Sequence, residues 1–347
     1  AWVELGGYDP YTGYPYGEIL EKIERNHVYK LFCRFTQKIA KFELNLTVCP
    51  WEYLPPQAEE VKGEVKMTNC YMVDPGGRVD IPTENVYKIW AQQAEFGNIP
   101  IPDGDVTAEL VWQDEQGVIA DEGVTVVNAS ERERAYLQIK TAIEGNAVVA
   151  MKVNGEIYWS WHIWCTDYEP NVTEGLKFFN NLVWMDRNLG AMTNEYTIDG
   201  GVKGLFYQWG RKDPFPASEG WTDQEKMLYT LTGTTSLSYK EVDTSENLVA
   251  AIRQPARFFI AITSPGDWYT NSMSLLNRTL WLPNTKTIFD PCPVGWRVPG
   301  NQPWTGLLQG GVFNSYLNGL VHPDAGYFPC TGYRRPQTGR FDSLGNI

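Results

Sequence analysis

Histidine and cysteine are two residue types that often supply a catalytic base, a nucleophile or a metal ligand. The three histidines, His27, His162 and His322, lie far apart in the sequence, so a histidine triad or metal site has little support. Six cysteines stand at positions 33, 49, 70, 165, 292 and 330, without the C-x-x-C spacing of zinc or thioredoxin-like sites. Serine nucleophile elbows, phosphate loops and paired glycosidase carboxylates are not readable either. We therefore predict no catalytic residue, no metal, calcium included, and no cofactor.

Most of the cysteines are expected to be buried thiols that pack as small apolar side chains. Cys292 and Cys330 remain candidates for a disulfide. Cys33 and Cys49 are not expected to bond each other. Simple hairpin pairing places Cys33 opposite about residue 44, so Cys49 would lie roughly 17 Å further along the strand.

The Asp186-Arg187 pair could form a charged site or organise the fold. Trp184 and Leu189 flank the pair as core residues would. We therefore predict a buried ion pair with a structural role.

The segment Trp296-Arg297-Val298-Pro299 has a similar character. Trp296 is predicted to pack in the core, Arg297 to pair with a carboxylate, and Pro299 to fix a turn. Trp209, like Trp184 and Trp296, is predicted to be buried and structural.

Aromatic side chains in turn-rich segments are the best candidates for ligand binding. Trp268 and Tyr269 follow Pro265-Gly266-Asp267, and Trp221 follows a glycine in a similar segment. An exposed ring supplies contact area, and neighbouring polar groups supply direction, which suits a sugar or a protein ligand. The alternative is that these rings fold down over the core as lids.

The composition favours a turn-rich, mainly β protein, since 347 residues include 32 glycines and 22 prolines and 14% are aromatic. Residues 59–168 contain 8 Lys and Arg against 19 Asp and Glu, a net charge of −11. This acidic region argues against nucleic-acid binding. No apolar run is long enough to span a bilayer. The first residues lack a charged n-region and an apolar h-region, so we expect any signal peptide to have been removed.

Alternating apolar and polar residues predict where the strands lie. Phe42, Leu44, Leu46 and Val48 alternate with polar residues, and 28–36 is the predicted antiparallel partner. Further apolar runs occur at 108–112, 124–127, 136–139 and 147–153. Asn154-Gly155 predicts a two-residue hairpin turn. A helix is predicted over 248–253, with Ser245 as N-cap and Pro255 as the stop.

These patterns, together with two family resemblances, indicate three regions. Residues 1–56 would hold the last strands of a β-sandwich, 57–168 an immunoglobulin-like β-sandwich that acts as a spacer, and 169–347 an aromatic, loop-rich α+β module. Two strands alone cannot make a stable module, so strands that precede this chain or come from another chain would complete the first region.

Three segments of the last region, Trp184–Gly190, Gly204–Arg211 and Asp290–Pro299, closely resemble the signature of the Fibrobacter succinogenes major paralogous domain. This resemblance implies a C-type-lectin-like fold that displays loops for binding. The family usually continues well past a segment like Thr331–Arg334, so we expect the module to be incomplete at its C-terminus. Segments Arg25–Tyr29 and Asn45–Trp51 resemble the last strands of Bacteroidales fimbrillins, the subunits of type V pili.

The two resemblances together imply a cell-surface adhesin at or near a pilus tip, anchored through the outer membrane of a Gram-negative bacterium. Its partners would be other pilus subunits, joined by strand donation, and a host or microbial surface glycan or protein. One alternative is a surface glycan-binding lipoprotein without a pilus role. Another is an enzyme of the formylglycine-generating type, which would need accessible redox cysteines.

Overall fold

The computed structural model describes residues 68–97, 99–170, 175–180 and 182–342, together with the backbone of 29–34 and 43–48. The chain divides into two compact units, Ala1–Gln57 and Ala58–Ile347. Each unit is described by itself below. Within the described residues the protein is mainly β, as the composition predicts.

The described part of the N-terminal unit is an antiparallel hairpin of β1 (Tyr29–Arg34) and β2 (Glu43–Val48). Cys33 lies opposite Leu44, which confirms the predicted hairpin and its register. The predicted burial of Phe42, Leu44, Leu46 and Val48 concerns side chains that lie outside the described residues, as does Cys49.

The described residues of the C-terminal unit form strands and three short α-helices. Its strands are β3 (Cys70–Val73), β4 (Arg78–Pro82), β5 (Val106–Gln113), β6 (Ile119–Val127), β7 (Tyr136–Thr141), β8 (Gly145–Val153), β9 (Glu156–Cys165), β10 (Leu176–Phe179), β11 (Leu182–Met185), β12 (Leu228–Tyr229), β13 (Thr234–Thr235), β14 (Ser238–Glu241), β15 (Arg257–Ile260), β16 (Val312–Asn314), β17 (Gly319–His322), β18 (Gly326–Pro329), β19 (Tyr333–Arg334) and β20 (Phe341–Asp342). Its helices are α1 (Glu84–Gln92), α2 (Leu248–Arg253) and α3 (Leu307–Gly310).

A central six-stranded sheet organises this unit, in the order β13-β12-β5-β8-β9-β3. Its pairs are antiparallel except β3 with β9, which is parallel. A three-stranded sheet, β4-β7-β6, shares a buried core with it. The remaining sheets have two or three strands each and follow later in the chain.

Strand β8 is buried on both of its faces. Val149 and Met151 belong to the core shared with the three-stranded sheet. Val148 lies opposite Trp112 and packs in a second cluster with Phe215 from the C-terminal half. The central sheet therefore lies between two layers, which explains why β8 reads as a continuous apolar run.

The Asn154-Gly155 turn and helix α2 lie where the sequence predicts them. Asn154 and Gly155 have φ angles of 52° and 82°, as a type I′ turn requires. The predicted N-cap is wrong: Asn247 stands at that position, without a side-chain cap bond. The Ser245 hydroxyl donates instead to the Asp243 carboxylate.

The predicted boundary between 168 and 169 falls inside one compact unit. Strand β12 pairs with β5, and the second buried cluster joins residues from both sides of the boundary. The two regions therefore share cores instead of each forming its own. No helix of the described residues is both long and apolar enough to cross a membrane.

Candidate functional site

A tight turn at Gln208–Arg211 carries the most exposed tryptophan of the described residues. The Arg211 amide donates to the Gln208 carbonyl at 2.9 Å, and Gly210 has a φ of 86°. Trp209 occupies the first central position of this turn, where a side chain points away from the turn's own backbone. It is 57% exposed, so the prediction that Trp209 is buried is wrong.

The two residues at the ends of this turn are buried and hold it in place. The Gln208 amide donates to the Phe259 carbonyl at 2.8 Å and accepts from the Phe259 amide at 3.2 Å. The Arg211 guanidinium donates to the carbonyls of Gln254 and Pro255 at 3.1 and 3.0 Å. Both ends of the turn are held by β15 and by the residues just before it, so the Trp209 ring between them faces solvent.

Trp209 forms one wall of an open groove of about 490 Å³, which we call the Trp209 groove. Its floor includes Trp281, whose ring meets that of Trp209 edge-on at 4.9 Å. Four segments of the chain line the groove, with the residues Trp209, Pro265, Asp267, Leu276, Arg278, Trp281, Leu282, Pro283, Gly300 and Asn301.

The polar groups of the groove are a carboxylate, a guanidinium and an amide, from Asp267, Arg278 and Asn301. Partial burial raises the pKa of the Asp267 carboxyl above its usual value, opposed by the Tyr269 N–H and the Arg278 charge. Gly300 lets two loops meet, because a Cβ there would lie 2.7 Å from the Pro283 Cβ. Asp267 is the single carboxylate among the described residues that line the groove.

Trp268 and Tyr269, the predicted binding aromatics, are buried, with exposures of 4% and 3%. The Trp268 indole N–H donates to the Trp209 carbonyl at 2.6 Å, and its ring lies 6.2 Å from that of Phe259. The two rings close the core beneath the loop, which is the alternative that the sequence left open. The loop does contribute to the groove, through Pro265 and Asp267.

Trp221, the third predicted binding residue, is half-buried and lies outside the Trp209 groove. Its indole N–H donates to the Thr197 carbonyl at 2.8 Å. Its ring stacks on Tyr196 at 5.4 Å. These contacts assign it a role in holding two loops together.

The signature residues near 186 form a structural ion pair. Asp186 is buried and accepts from the Arg187 Nε at 2.7 Å and from the Asn194 amide at 2.7 Å. The Arg187 guanidinium lies 3.9 Å from the centre of the Tyr168 ring. Trp184 is half-buried, so the prediction that it is buried is wrong, and its indole N–H donates to the Phe179 carbonyl.

The segment from Trp296 to Pro299 is half-buried, so the prediction that Trp296 lies in the core is wrong. The Trp296 carbonyl accepts from the Lys286 ammonium at 2.9 Å. The Arg297 Nε donates to the Pro283 carbonyl at 2.7 Å, where a carboxylate partner was expected. Arg297 thus supports the loop that contributes Pro283 to the groove.

A second polar centre is buried beneath the central sheet. The Lys212 ammonium donates to the Ser160 hydroxyl, the Ser160 carbonyl and the Asp213 carboxylate, at 2.6, 2.8 and 2.6 Å. Burial lowers the pKa of Lys212 to about 8, although the Asp213 charge opposes this. Serine and lysine also form catalytic dyads in other proteins. Here Ser160 and Lys212 are both buried, and all three ammonium hydrogens have acceptors. The centre therefore ties the loop after Gly210 to β9.

His162 on β9 is a buried and neutral histidine. Its Nε2 lies 2.9 Å from the Asn146 amide oxygen, and burial lowers its pKa to about 3. Cys70, Cys165, Cys292 and Cys330 are buried free thiols, so Cys292 and Cys330 are not bridged. Burial raises the pKa of Cys292 well above its ordinary value. Within the described residues, no three His, Cys, Asp or Glu side chains gather as a metal site would require.

The groove residues Trp209, Asp267, Arg278 and Asn301 were not predicted as binding residues. Trp209 was assigned to the core because aromatic signature residues usually pack there. The glycine after Trp209 was the available signal, since glycine is frequent in turns and turns lie mostly at the surface. Arg278 and Asn301 gave no signal, because only the folded loops bring them to Trp209.

Comparisons of the chain with models of protein families, with curated proteins and with solved structures found no significant match.

Proposed function

We propose that this protein is a cell-surface adhesin that binds a surface glycan through the Trp209 groove. The single observation that carries the proposal is the 57% exposed Trp209 ring beside the polar side chains of Asp267 and Arg278. Ligand sites are commonly concave and lined by aromatic side chains with a few polar groups, and the Trp209 groove has this composition.

The groove's chemistry suits a sugar. The apolar face of a pyranose ring can stack on the indole of Trp209, which offers a large rigid surface. Hydroxyl groups at the rim of the sugar both donate and accept, so the Asp267 carboxylate, the Arg278 guanidinium and the Asn301 amide can all bond them. Glycosidases commonly need two carboxylates across the bond that they cleave. The residue set therefore favours binding over hydrolysis.

The resemblance to fimbrillins extends the proposal to a pilus. The N-terminal unit would join neighbouring subunits by strand donation, which pairs a foreign strand with an open sheet edge. The protein would then lie at the cell surface. It would be a tip or an accessory subunit of a pilus that is anchored through the outer membrane. A surface glycan-binding lipoprotein would use the same groove without that assembly. Electron microscopy of purified pili labelled against this chain separates the two.

An enzyme of the formylglycine-generating type finds less support. Cys292 and Cys330, the cysteines considered for that chemistry, are 6% and 5% exposed. A redox cysteine requires a reachable thiolate, and burial raises the pKa of both thiols.

The test is binding of the intact chain to a glycan and host-protein array, followed by the Trp209→Ala variant. We expect Trp209→Ala to fold normally, because the ring is largely exposed. We expect the variant to lose binding, because the ring is the surface on which the sugar stacks. Tyr316→Ala is the matched control, since Tyr316 is 90% exposed and does not line the groove. Trp268→Ala, by contrast, removes a buried ring and should reduce stability by about 3–5 kcal/mol.

Unchanged binding by a folded Trp209→Ala variant would remove the groove from the ligand site. The array is repeated with a chelator, and we expect binding to persist. Loss of binding with chelator alone would show that a metal takes part.

A further inference from the structure

A second cavity of about 230 Å³ lies beside the Trp209 groove, and we call it the inner chamber. Trp209 and Asp267 line both cavities. The walls of the chamber are mainly aromatic, and four of the aromatic residues are buried in the core: Phe215, Phe258, Phe259 and Trp268.

The size and lining of the chamber suit a single apolar ring. An apolar cavity of about 150 Å³ is enough to bind benzene, so a chamber of about 230 Å³ accepts a substituted six-membered ring. An empty apolar cavity lowers the stability of a fold in proportion to its volume. An apolar occupant that fills the chamber is therefore expected to stabilise the fold.

Most polar side chains at the chamber walls are already engaged within the protein, and the Tyr207 hydroxyl and the Arg334 Nε, which have no partner, are themselves buried. The Gln208 amide is bonded to the backbone of Phe259. Both terminal nitrogens of the Arg334 guanidinium donate to the Glu225 carboxylate, at 2.9 and 2.8 Å. The Asp267 carboxylate accepts from the Tyr269 amide at 2.8 Å. A sugar hydroxyl in the chamber would lose its hydrogen bonds to water and form few new ones. An apolar ring has no hydrogen bonds to lose.

We propose that the inner chamber is an apolar subsite of the Trp209 groove, and that the ligand is a glycoside with a hydrophobic aglycone. The sugar lies against Trp209 in the groove, and the ring of the aglycone enters the chamber between Phe206 and Trp268. The sugar half of this inference rests on the proposed function, and the chamber half does not.

The experiment has two arms, both with the full chain. In the first, calorimetry measures the melting temperature with and without dissolved toluene. Toluene should raise the melting temperature of the wild type. Ala261→Leu should abolish that rise, because Ala261 lines the chamber and is buried. If Ala261→Leu does not fold, Phe206→Trp fills the chamber from another wall.

In the second arm, titration calorimetry compares phenyl with methyl glycosides of glucose, galactose and mannose. We expect the phenyl member of at least one pair to bind at least about tenfold tighter, because it buries one more ring. Ala261→Leu should remove this gain and leave the affinity for the methyl glycoside unchanged.

No effect of toluene on the wild type overturns the chamber, even if array binding depends on Trp209. A toluene effect with no difference in any glycoside pair overturns the amphipathic ligand. Binding of an aromatic peptide in place of any phenyl glycoside overturns it as well. Failure of the array test with both arms positive would count against adhesion and not against the subsite.

Discussion

Lys212 is a buried cation whose three N–H groups are all bonded, two of them to Ser160 and one to Asp213. Its value to the fold depends on Asp213, because the side chains of both are almost completely buried. Both charges are costly to bury, and removal of the Lys212 side chain would leave the Asp213 carboxylate without the amine that bonds it.

Lys212→Met should therefore reduce the free energy of unfolding by about 3–5 kcal/mol, since it leaves the Asp213 carboxylate buried and unpaired. Denaturant titration measures the change. Lys152→Met is the matched control, because Lys152 pairs with Glu109 near the surface and such a pair contributes less than about 1 kcal/mol. Equal losses in the two variants would contradict a buried charge at Lys212.

Lys212 also predicts how stability depends on pH. Its pKa is about 8 in the fold against an ordinary value of 10.5, so between these values the folded state binds fewer protons than the unfolded state. The free energy of unfolding contributed by Lys212 therefore rises with pH in this window. We expect the stability difference between wild type and Lys212→Met to grow from pH 8 to about 10.

This difference isolates Lys212, because every other group titrates in both proteins and its contribution cancels. Lys203, whose pKa burial also lowers to about 8, and the buried cysteines are such groups. Denaturant titrations at several pH values give the difference directly. A difference that stays constant or shrinks would show that the pKa of Lys212 is not lowered.

At the scale of elements, the β8–β9 hairpin depends on its two-residue turn. Gly155→Ala places a Cβ at a φ of 82°, where the added atom meets no neighbour within 4 Å. The cost is therefore conformational, and we expect a loss of about 1–2 kcal/mol in unfolding free energy. Gly233→Ala is the control, since Gly233 has open space and an ordinary φ. If both variants unfold alike, the turn is not strained by a side chain.

The sequence predicts elements with strong local signals and misses features that depend on distant contacts. Asn154-Gly155 and α2 follow from turn chemistry and helix periodicity, which act over a few residues. The burial of Trp268 depends on the Trp209 carbonyl, 59 positions away in the sequence. Trp209 and Trp268 have the same residue type and opposite surroundings. Composition and spacing therefore indicate segments rich in aromatic residues, while the turn at Gln208–Arg211 determines that Trp209 is the exposed ring.

At the scale of the whole molecule, the central sheet makes residues 58–347 interdependent. Strand β12 needs β5 as its partner, and Phe215 needs Trp112 and Val148 to complete its cluster. Neither 58–168 nor 169–347 contains a complete set of these partners. The C-terminal unit is therefore a cooperative whole.

We expect the fragments 58–168 and 169–347, each expressed alone, to lack a cooperative thermal transition, while 58–347 shows one. The reason is that each fragment would expose apolar surface that the other covers. Circular dichroism and calorimetry on the three proteins test this. A sharp transition in either fragment would restore the boundary that the sequence predicts near residue 168.

The pairing of β5 with β12 also limits how this gene can exchange parts with others. Recombination between related genes succeeds where a crossover leaves every strand with its neighbours. A crossover near residue 168 would combine one parent's β5 with the other parent's β12, so descendants would inherit mismatched halves of one sheet. We therefore expect residues 58–347 to be inherited as a block, with sequence diversity concentrated in the loops around Trp209.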